Sequence, residues 1–568
     1  MSDSKRRILI IGGVAAGATA AARARRLDED AEITVIERGP YVSFANCGLP
    51  YHISGAIQKR SKLLLQTPEG FYSRYRVNVL LKTEAVSINR ASKTVHVRDS
   101  SLESVTERDL PYDALILAQG GSPFVPPLPG VDSSNVFRLW NIPDMDAIQK
   151  FIKEHNPKSA VVVGGGFIGL ETAEAFIERG LSVSIVELTD HLMPPMDLPY
   201  GVRIQQRFEE AGARVLVKRA VKAIEAGKVL LDDGSYIDAD IVLMSVGVRP
   251  NTDVAKSAGL EIGATGALAV DEQLRTADPS IWAAGDMVEI VSKVHGGKTR
   301  LPLAGPANRQ GRIVATNAVA ALRSAAGLDD TLPMRYRGAA GTSVVKIFDD
   351  TAASTGVSLA AAKKLGLAAT EATILKADHA SYYPGDQDLL LTLVYDKDSG
   401  KLLGAQAYGK AGAEKRIDAA AVALQAGMTV EDIAELDFAY APPYSSANDP
   451  LNMVAFVASN ARSLYAPLSS ASDATAEVAS GTALFLDVRT YGEYSKGHVV
   501  GAVHLPLDEI RDRIEEIPRN LPLRLVSKGG FEGHIALRVL SQKGIKGAAN
   551  ISGGWSTLRL VPGLKIEE

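Results

Sequence analysis

The sequence predicts an α/β protein, because a strand, a glycine turn, a helix and a second strand follow one another twice along the chain. The first copy spans residues 6–37 and the second spans residues 160–187. In each copy the second strand ends in a glutamate, Glu37 or Glu187. Such turns let a pyrophosphate approach the backbone at a helix N-terminus, and the acid accepts hydrogen bonds from a ribose hydroxyl. Each copy therefore predicts a Rossmann-like dinucleotide-binding domain.

Length and composition limit the function classes. A chain of 568 residues predicts several domains, since single cores stop growing near about 250–300 residues. The net charge of −4 predicts no nucleic-acid surface, and no apolar run predicts a membrane span or a signal peptide. The single cysteine, Cys47, excludes an internal disulfide and predicts a reducing, cytoplasmic setting with a thiol partner from outside the chain. We predict no metal site.

The first glycine turn is Gly12-Gly13-Val14-Ala15-Ala16-Gly17, after an apolar strand at residues 7–11 and before a predicted helix at 18–27. Valine stands where the dinucleotide fingerprint has its middle glycine, so a tight turn without a ligand remains an alternative. The candidate cofactor-binding residues here are Gly12, Gly13, Gly17 and Glu37.

The second glycine turn carries the full fingerprint at Gly164, Gly166 and Gly169, followed by a predicted helix through Arg179. Its strand ends at Glu187, whose carboxylate suits a ribose 2′-hydroxyl and repels a 2′-phosphate. No arginine follows closely in residues 188–191. We therefore expect NADH in preference to NADPH.

Three further strands end in glycine turns, at Gly120, at Gly247 and at Gly285, which precedes Asp286. Together these segments resemble the pyridine nucleotide-disulfide oxidoreductase superfamily of flavoproteins. The resemblance implies that the first fold binds FAD, that Gly285 and Asp286 hold its ribityl chain, and that NADH exchanges at the second fold. It assigns residues 1–150 and 266–333 to the FAD-binding domain and residues 151–265 to the NADH-binding domain.

Residues 334–465 are expected to form an α+β domain. Apolar and β-branched segments at 336–357 and 389–408 predict strands, residues 396–400 predict a hairpin turn, and helices are predicted around 358–365 and 414–426. This pattern resembles the dimerisation domain of the same superfamily, which implies a homodimer whose active sites are completed by the partner subunit. The Ser/Ala-rich segment 466–481 predicts a linker.

Residues 482–568 resemble a rhodanese-like α/β domain, through the segments 484–489 and 493–506 and the loop at 525–534. In rhodaneses a cysteine opens that loop and carries sulfur as a persulfide. Ser527 occupies the position here, and a hydroxyl cannot form a persulfide. Glu532 stands where many relatives carry a basic residue. We therefore expect this domain to be catalytically silent.

The segment Ser43–Tyr51 decides the branch of the superfamily. It matches the SFxxCGLPY motif of coenzyme A-disulfide reductases. These enzymes belong to a single-cysteine branch that also includes NADH oxidases, peroxidases and NADH-dependent persulfide reductases. Oxidases and peroxidases usually carry a histidine in the first glycine turn, where Val14 and Ala15 stand here. The motif and the fused domain together imply an FAD-dependent, NADH-driven disulfide or persulfide reductase.

The resemblance also implies roles for individual residues. Cys47 forms a mixed disulfide and needs a low thiol pKa, which a helix N-terminus and the flavin are expected to supply. Phe167 is an aromatic gate and Glu171 lies near the nicotinamide, although both also suit packing. Tyr382 and Tyr440, or their neighbours Tyr383 and Tyr444, donate protons, unless they only pack at a dimer interface. Coenzyme A is expected to contact the following residues, of which Lys62 and Arg74 also suit a solvated surface: Arg23, Ser43, Asn46, Lys62, Arg74, Asn308 and Arg309.

Two other functions stay open at this point. One is an NADH oxidase or peroxidase that reduces oxygen or peroxide through Cys47. The other is a redox-sensing or scaffold protein in which the rhodanese-like domain binds a partner. Coenzyme A disulfide, coenzyme A persulfide, glutathione persulfide and polysulfide all remain possible substrates of the reductase.

Overall fold

A computed structural model describes residues 6–328 and 331–567. The described chain divides into two compact units. One contains the chain up to residue 188 together with 212–339, and the other contains 189–211 with the chain from 340 onward. Within the described residues, no helix combines the length and the apolar character that crossing a membrane requires.

The first unit is built on two parallel five-stranded sheets, as the two glycine-turn copies predict. In spatial order the first sheet contains Ile281–Ala283, Ala114–Leu117, Arg7–Ile11, Glu32–Ile36 and Val77–Leu80. The second contains Arg214–Leu216, Ser182–Val186, Ser159–Val163, Ile241–Met244 and Val136–Phe137. Central strands such as Ala114–Leu117 are buried throughout, which is typical of parallel sheets covered on both faces.

Smaller elements complete this unit. One three-stranded sheet contains Thr83–Asn89, Thr94–Asp99 and Thr106–Pro111, and a second contains Val221–Glu225, Lys228–Leu231 and Tyr236–Asp238. A third contains Leu268–Ala269, Val288–Val291 and Lys298–Thr299. Gly121–Pro123 pairs with Val248–Pro250 in a two-stranded sheet. The helices are Ala15–Leu27, Leu49–Ser54, Pro68–Tyr75, Ile142–His155, Phe167–Glu178, Asp253–Ser257 and Ala304–Ala325, with 3₁₀ turns at Asn46–Gly48 and Arg60–Leu63.

Small residues bring two of these helices close together. The helix after the first glycine turn begins at Ala15, three residues before the predicted start, and packs its alanine face against Ala304–Ala325. A side chain on Gly311 would stand 2.3 Å from the carbonyl oxygen of Ala16. Only glycine therefore allows the two helices to approach this closely beside the glycine turn.

The second unit contains an antiparallel five-stranded sheet. Its spatial order is Thr342–Ile347, Asp350–Gly356, Leu402–Gly409, Asp388–Asp396 and Ala369–Ala377. The predicted turn at 396–400 joins two of these strands, and Asp396 accepts hydrogen bonds from the backbone N–H and the hydroxyl of Ser399. The strand Ala369–Ala377 was not predicted. The helices here are Leu198–Glu210, Leu359–Lys364, Ala413–Ala426, Val430–Ala434 and Pro450–Arg462.

The C-terminal part of this unit, from Leu468 to Glu567, is an α/β layer with its own sheet. Its sheet runs Leu468–Ser469, Ala549–Ile551, Leu523–Val526, Leu484–Asp487 and Val503–His504, and His498–Val499 pairs with Ile566–Glu567. The helices are Ala471–Ala479, Tyr491–Tyr494, Phe531–Gln542 and Trp555–Leu558, with 3₁₀ turns at Leu507–Glu509 and Ile514–Glu516.

The segment 466–481 differs from the predicted linker, because it contributes a strand and a helix to this layer. Its strand Leu468–Ser469 pairs with Ala549–Ile551. Its helix Ala471–Ala479 begins at Ser470, whose hydroxyl accepts a hydrogen bond from the N–H of Asp473. Serine followed by alanines suits a capped helix as well as a linker. The other domain boundaries given above stay predictions.

Candidate active site

The only thiol of the chain lies exposed, in the short turn before a helix. Cys47 belongs to the 3₁₀ turn Asn46–Gly48 and precedes the helix Leu49–Ser54. Behind it, a side chain on Gly48 would stand 2.6 Å from a methyl group of Leu63. The turn is therefore packed on its inner side while the cysteine faces outward.

Backbone hydrogen bonds fix this turn beside the first glycine turn. The N–H of Ser43 donates to the carbonyl oxygen of Gly13 at 2.8 Å, and the N–H of Ala45 donates to Leu63 at 2.8 Å. Ser43 has φ +47°, a left-handed conformation that a serine adopts at a cost of about 1–2 kcal/mol. The surrounding hydrogen bonds offset that cost and hold Cys47 near the first dinucleotide fold.

Negative groups act on the Cys47 thiol. Partial desolvation by the surrounding protein raises the pKa of Cys47, and the carboxylates of Glu171 and Asp286 raise it further. A backbone hydrogen bond lowers the pKa of Cys47, but by less than burial and the two acids raise it, whereas we expected a lowered pKa at this position. In the protein alone the thiol is therefore held protonated to a higher pH than a free cysteine.

The tyrosine that lies four residues after the cysteine forms a hydrogen bond with a glutamate of another helix. The hydroxyl of Tyr51 donates a hydrogen bond to Glu171 at 3.2 Å. Burial raises the pKa of Glu171 to about 7; the hydrogen bond from Tyr51 lowers it and Glu174 raises it. The resemblance implies that Glu171 lies near the nicotinamide, but the contact with Tyr51 was not predicted, because the two residues are 120 positions apart.

The first glycine turn has the geometry of a dinucleotide cradle. Gly12 has φ +100°, and a side chain there would stand 2.2 Å from the carbonyl oxygen of Ala118. A side chain on Gly17 would stand 1.8 Å from the oxygen of Gly12. Glu37 accepts hydrogen bonds from the N–H groups of Gly13 at 2.9 Å and Gly39 at 2.7 Å. The shape of the turn therefore requires glycine at both positions, and backbone N–H groups orient the carboxylate of Glu37.

A cavity of about 360 Å³ opens from this turn. Its lining reaches from Glu37 through Val14 and Gly120 to Asp286, and it includes Asn46 next to the cysteine. Such a cavity fits a long cofactor whose one end meets the glutamate and whose other end approaches the thiol.

Asp286 fits the part of that cofactor that carries hydroxyl groups. Burial raises the pKa of Asp286 to about 6, against a smaller opposing effect of Arg300. Its carboxylate accepts no hydrogen bond from residues 6–328 or 331–567, while the N–H of Gly285 donates to Gln310 at 2.7 Å. A carboxylate left without a protein donor on a cavity wall suits the hydroxyls of a ribityl chain.

The second glycine turn divides the roles of its three glycines in the way the fingerprint predicts. Side chains on Gly164 and Gly169 would stand 2.2 and 2.0 Å from backbone oxygens, whereas no atom of the described chain lies within 4 Å of one on Gly166. The open space at Gly166 is where a pyrophosphate would approach. Glu187 is buried and accepts a hydrogen bond from the N–H of Gly165 at 2.7 Å.

The remaining cofactor positions lie at the ends of neighbouring elements. Gly120 and Gly247 have φ +60° and +112°, and the described chain leaves the space beside both of them open. Phe167 is the first residue of the helix Phe167–Glu178 and is half-buried. Its position at the mouth of the turn suits a gate, while its packing role stays an alternative.

The basic and polar residues expected to contact coenzyme A lie in two places, and the first is the contact between the two alanine-rich helices. Arg23 donates to the hydroxyl of Thr316 at 3.2 Å, and Asn308 accepts from Thr19 at 2.7 Å, so both lie where the two alanine-rich helices pack. Burial lowers the pKa of Arg23, and Arg312 and Arg26 lower it further. Arg309 is exposed on the second of these helices.

Lys62 and Arg74 are both exposed. Lys62 lies in the 3₁₀ turn Arg60–Leu63, whose last residue is hydrogen bonded to the cysteine loop. Arg74 lies on the helix Pro68–Tyr75, without an ion pair among the described residues. The structure therefore connects Lys62, but not Arg74, to the loop that carries the thiol.

In the second unit, one tyrosine of the first predicted pair is hydrogen bonded to one tyrosine of the second. The hydroxyls of Tyr382 and Tyr440 are 2.8 Å apart, and the two side chains are 74% and 47% exposed. The hydrogen bond to Tyr440 raises the pKa of Tyr382. Tyr383 packs edge-on against His379 and Tyr444 is exposed. The geometry selects Tyr382 and Tyr440 as the pair that can share a proton.

A buried arginine ties the two tyrosine loops together. Arg416 donates to the carbonyl oxygen of Asp378 at 2.7 Å, four residues before Tyr382. It also pairs with Asp449 at 3.0 Å, at the end of the segment that carries Tyr440. Burial by itself would raise the pKa of Asp449, but Arg416 together with hydrogen bonds from Leu451 and Ser445 outweighs it and lowers the pKa. Sequence reasoning missed this residue, because an arginine on a helix usually marks solvated surface.

The loop of the C-terminal layer contains Ser527 at 0% exposure. Its hydroxyl accepts a hydrogen bond from the N–H of Gly530 at 3.0 Å, and its carbonyl oxygen accepts from Trp555 at 2.7 Å. Glu532 lies in the first turn of the helix Phe531–Gln542. The side chain predicted to stand at the sulfur-carrying position is therefore an enclosed hydroxyl.

Comparisons with known proteins agree with this geometry. Residues 6–311 match the pyridine nucleotide-disulphide oxidoreductase model, residues 342–450 match its dimerisation domain, and residues 470–559 match the rhodanese-like domain. An NADH oxidase of Methanocaldococcus jannaschii is 33% identical over 79% of this chain and 98% of its own length. A coenzyme A disulfide reductase of Staphylococcus aureus is 33% identical over 80% of this chain and 99% of its own.

Two solved structures cover almost the whole chain. Reduced Bacillus anthracis CoADR-RHD superimposes with a TM-score of 0.92 and 39% identity, covering 98% of both chains. A NAD-dependent persulfide reductase from A. fulgidus superimposes with a TM-score of 0.89 and 35% identity, covering 97% of this chain and 99% of its own. The chain therefore belongs to the pyridine nucleotide-disulphide oxidoreductase family, as an FAD- and NAD(P)H-type oxidoreductase with a dimerisation domain and a rhodanese-like domain.

Proposed function

We propose that the protein is an NADH-driven reductase of coenzyme A disulfide, coenzyme A persulfide or polysulfide, working through Cys47. One observation carries the proposal: the only thiol is exposed on a loop that is hydrogen bonded to the first glycine turn, beside the cavity that this turn opens. The similarity to a coenzyme A disulfide reductase and a persulfide reductase supports the substrate class.

The chain's own residues would hold both cofactors. Gly12, Gly13, Gly17 and Glu37 would meet the nucleotide end of FAD, and Gly120, Gly285 and Asp286 its remaining length. Gly164, Gly166, Gly169 and Glu187 would hold NADH, with Phe167, Glu171 and Gly247 around its nicotinamide end. Bound there, FAD supplies the route by which two electrons of NADH reach sulfur.

The preference for NADH rests on Glu187. Its buried carboxylate is oriented by the N–H of Gly165 and would lie beside the ribose, where a 2′-phosphate brings like charge. We expect Glu187→Ala to weaken NADH binding and to reduce the preference for NADH over NADPH, measured as the ratio of the two kcat/KM values.

The chemistry takes place on sulfur. The Cys47 thiolate attacks one sulfur of a disulfide RS–SR, so that the bond Cys47–S–S–R forms while the substrate S–S bond breaks. The leaving thiolate takes a proton from a tyrosine. Two-electron reduction of the mixed disulfide then regenerates the Cys47 thiolate and releases the second RS⁻, which takes up a proton.

Tyr382 and Tyr440 are the proposed proton donors. Their hydroxyls share one hydrogen bond, so one phenol can deliver a proton while the other stabilises the phenolate that remains. The match to a dimerisation domain supports a homodimer, in which we place the tyrosines of one subunit at the thiol of the other. The charges at Arg23, Lys62, Arg74 and Arg309, with Asn308, Ser43 and Asn46, are proposed for coenzyme A.

The proposal is tested by NADH oxidation without oxygen, with coenzyme A disulfide as the electron acceptor. We expect turnover with the parent protein and none with Cys47→Ser, whereas Ser527→Ala, the matched change at the other sulfur-type position, stays near the parent. Equal rates with and without the disulfide would contradict the proposal.

An NADH oxidase is the second candidate, because the M. jannaschii relative carries that name. Val14 and Ala15 leave the first glycine turn without the histidine expected of an oxidase. NADH consumption in air, compared with and without disulfide, separates the two activities. Full turnover of Cys47→Ser would instead support the redox-sensing or scaffold function.

A further inference from the structure

The strand Ala369–Ala377 stands at the edge of its sheet and pairs along one side only, with Asp388–Asp396. An edge strand presents a row of N–H and C=O groups that need partners. Three of these groups, on Thr373 in the middle of the strand and on Leu375, form hydrogen bonds with the rhodanese-like domain. That domain therefore completes the edge of a sheet to which it does not belong.

The contacts come from two loops of the rhodanese-like domain. The N–H of Thr373 donates to the hydroxyl of Ser552 at 2.8 Å, and the N–H of Gly553 donates to the carbonyl oxygen of Thr373 at 2.9 Å. The N–H of Leu375 donates to the carbonyl oxygen of Gly529 at 3.4 Å. Gly529 belongs to the same loop as Ser527, so the loop that would carry sulfur is engaged in this contact.

The contact is enclosed and continues into the sheet. Thr373 and Ser552 are 4% and 3% exposed. The Thr373 hydroxyl is hydrogen bonded to the hydroxyl of Thr392 at 2.7 Å, and the hydroxyl of Tyr200 donates to Thr392 at 2.7 Å. Buried polar chains of this kind fix one arrangement, because each group that loses its partner is costly.

The edge strand leads directly to the tyrosine pair. It ends at Ala377, and Asp378 follows with its carbonyl oxygen bonded by Arg416. Tyr382 comes four residues later, on the loop that this arginine anchors. The register of the strand therefore sets where the loop with Tyr382 begins.

We propose that the rhodanese-like domain acts in this protein as a positioning element, which holds the edge strand so that the loop with Tyr382 keeps its place. Ser552, Gly553 and Gly529 are the positioning residues, and none of them touches the reacting sulfur. The effect on turnover rests on the proposed function of Tyr382. The serine at position 527 is compatible with this role, because the contact uses backbone groups and the hydroxyl of Ser552.

Two measurements on the full-length holoenzyme test the proposal. The first is hydrogen exchange of the parent protein, in which the amides of Thr373 and Leu375 are expected to be protected as strongly as those paired inside the sheet. The second compares Ser552→Ala with Ser541→Ala, an exposed serine of the same domain.

For Ser552→Ala we expect faster exchange at Thr373 and a kcat for coenzyme A disulfide about three- to tenfold below the parent, as loss of one neutral hydrogen bond implies. The rate of flavin reduction by NADH in single turnover is expected to stay at the parent value, as are all values for Ser541→Ala.

Exchange of Thr373 and Leu375 in the parent at the rate of open loops would overturn the proposal, whether or not the variant folds. So would faster exchange in Ser552→Ala with an unchanged kcat. A parent protein that does not reduce any disulfide would instead contradict the proposed function, while the exchange experiment would still report on the contact.

Discussion

Cys47 and Ser527 occupy the two loops of the chain where sulfur chemistry is expected, and their surroundings differ. Cys47 is an exposed thiol beside a cavity, influenced by Glu171 and Asp286. Ser527 is fully enclosed, and its hydroxyl accepts the N–H of Gly530. One loop is open to a substrate and carries a nucleophile, whereas the other is closed and carries none. Covalent sulfur chemistry in this chain is thereby confined to Cys47.

The closed loop also makes contacts outside its own sheet. In a rhodanese loop the backbone N–H groups surround a sulfur anion. Here the N–H of Gly530 is bonded to a serine oxygen, and Gly529 faces the edge strand of the neighbouring sheet. The loop that contains Ser527 is therefore held by contacts on both sides.

Replacing Cys47 should have the largest effect. Cys47→Ser removes the only nucleophile, so disulfide reduction should fall by at least about a thousandfold, while flavin reduction by NADH continues. Steady-state and single-turnover kinetics measure the two steps separately. Ser527→Ala is the matched control and should keep the parent rates, and a comparable loss in that variant would break the comparison.

A cysteine in place of Ser527 should report how accessible the closed loop is to a thiol reagent. In Ser527→Cys the new thiol should react with a disulfide reagent about a hundredfold more slowly than Cys47, because it is reached only by local opening. Thiol titration before and after unfolding counts the fast and slow groups. Two equally fast thiols would mean that the loop is open, and thiosulfate sulfurtransferase activity of the parent protein would contradict the silent role of Ser527.

The tyrosine pair should matter only to the chemistry at Cys47. Tyr382→Phe and Tyr440→Phe should each lower kcat for disulfide about tenfold, because the remaining phenol can still donate, and the double variant should lose about a hundredfold. Tyr444→Phe is the matched control, since that tyrosine lies outside the hydrogen-bonded pair. Equal losses in all three single variants would indicate a packing role.

The smallest effect concerns the acid beside the thiol. Burial raises the pKa of Glu171 to about 7, so above that pH its carboxylate is charged and raises the pKa of Cys47. Glu171→Gln removes that charge and lowers the thiol pKa, which should speed alkylation at pH 8 about threefold. The pH dependence of the alkylation rate measures the shift. A thiol pKa that rises in the variant would contradict the assigned sign.

Local patterns in the sequence predicted the glycine turns on which this candidate site is built. Both glycine turns, the acids at Glu37 and Glu187 and the pair Gly285–Asp286 follow from short spacings, because each motif binds its ligand through consecutive residues. The resemblance of the cysteine loop to a known motif supplied the thiol and the tyrosines. These parts depend on residues that are neighbours in sequence.

Features that depend on distant residues were missed. The strand Ala369–Ala377 mixes threonines and an isoleucine, which favour strands, with three alanines, a glutamate and a lysine, which do not. Its place is fixed by pairing with Asp388–Asp396. The contact of Tyr51 with Glu171 and the bridge made by Arg416 join positions that no local pattern connects. Arg416 lies on a helix, where an arginine is expected to be solvated, but it is buried and holds two loops together.

The central claim is that Cys47 alone carries the substrate. It is tested most directly by mixing the reduced protein with coenzyme A disulfide in the absence of NADH, and mapping the peptides by mass spectrometry. The account predicts one coenzyme A adduct, on the peptide that contains Cys47, which NADH then removes. A protein that turns over the disulfide without ever carrying the adduct on Cys47 would contradict it.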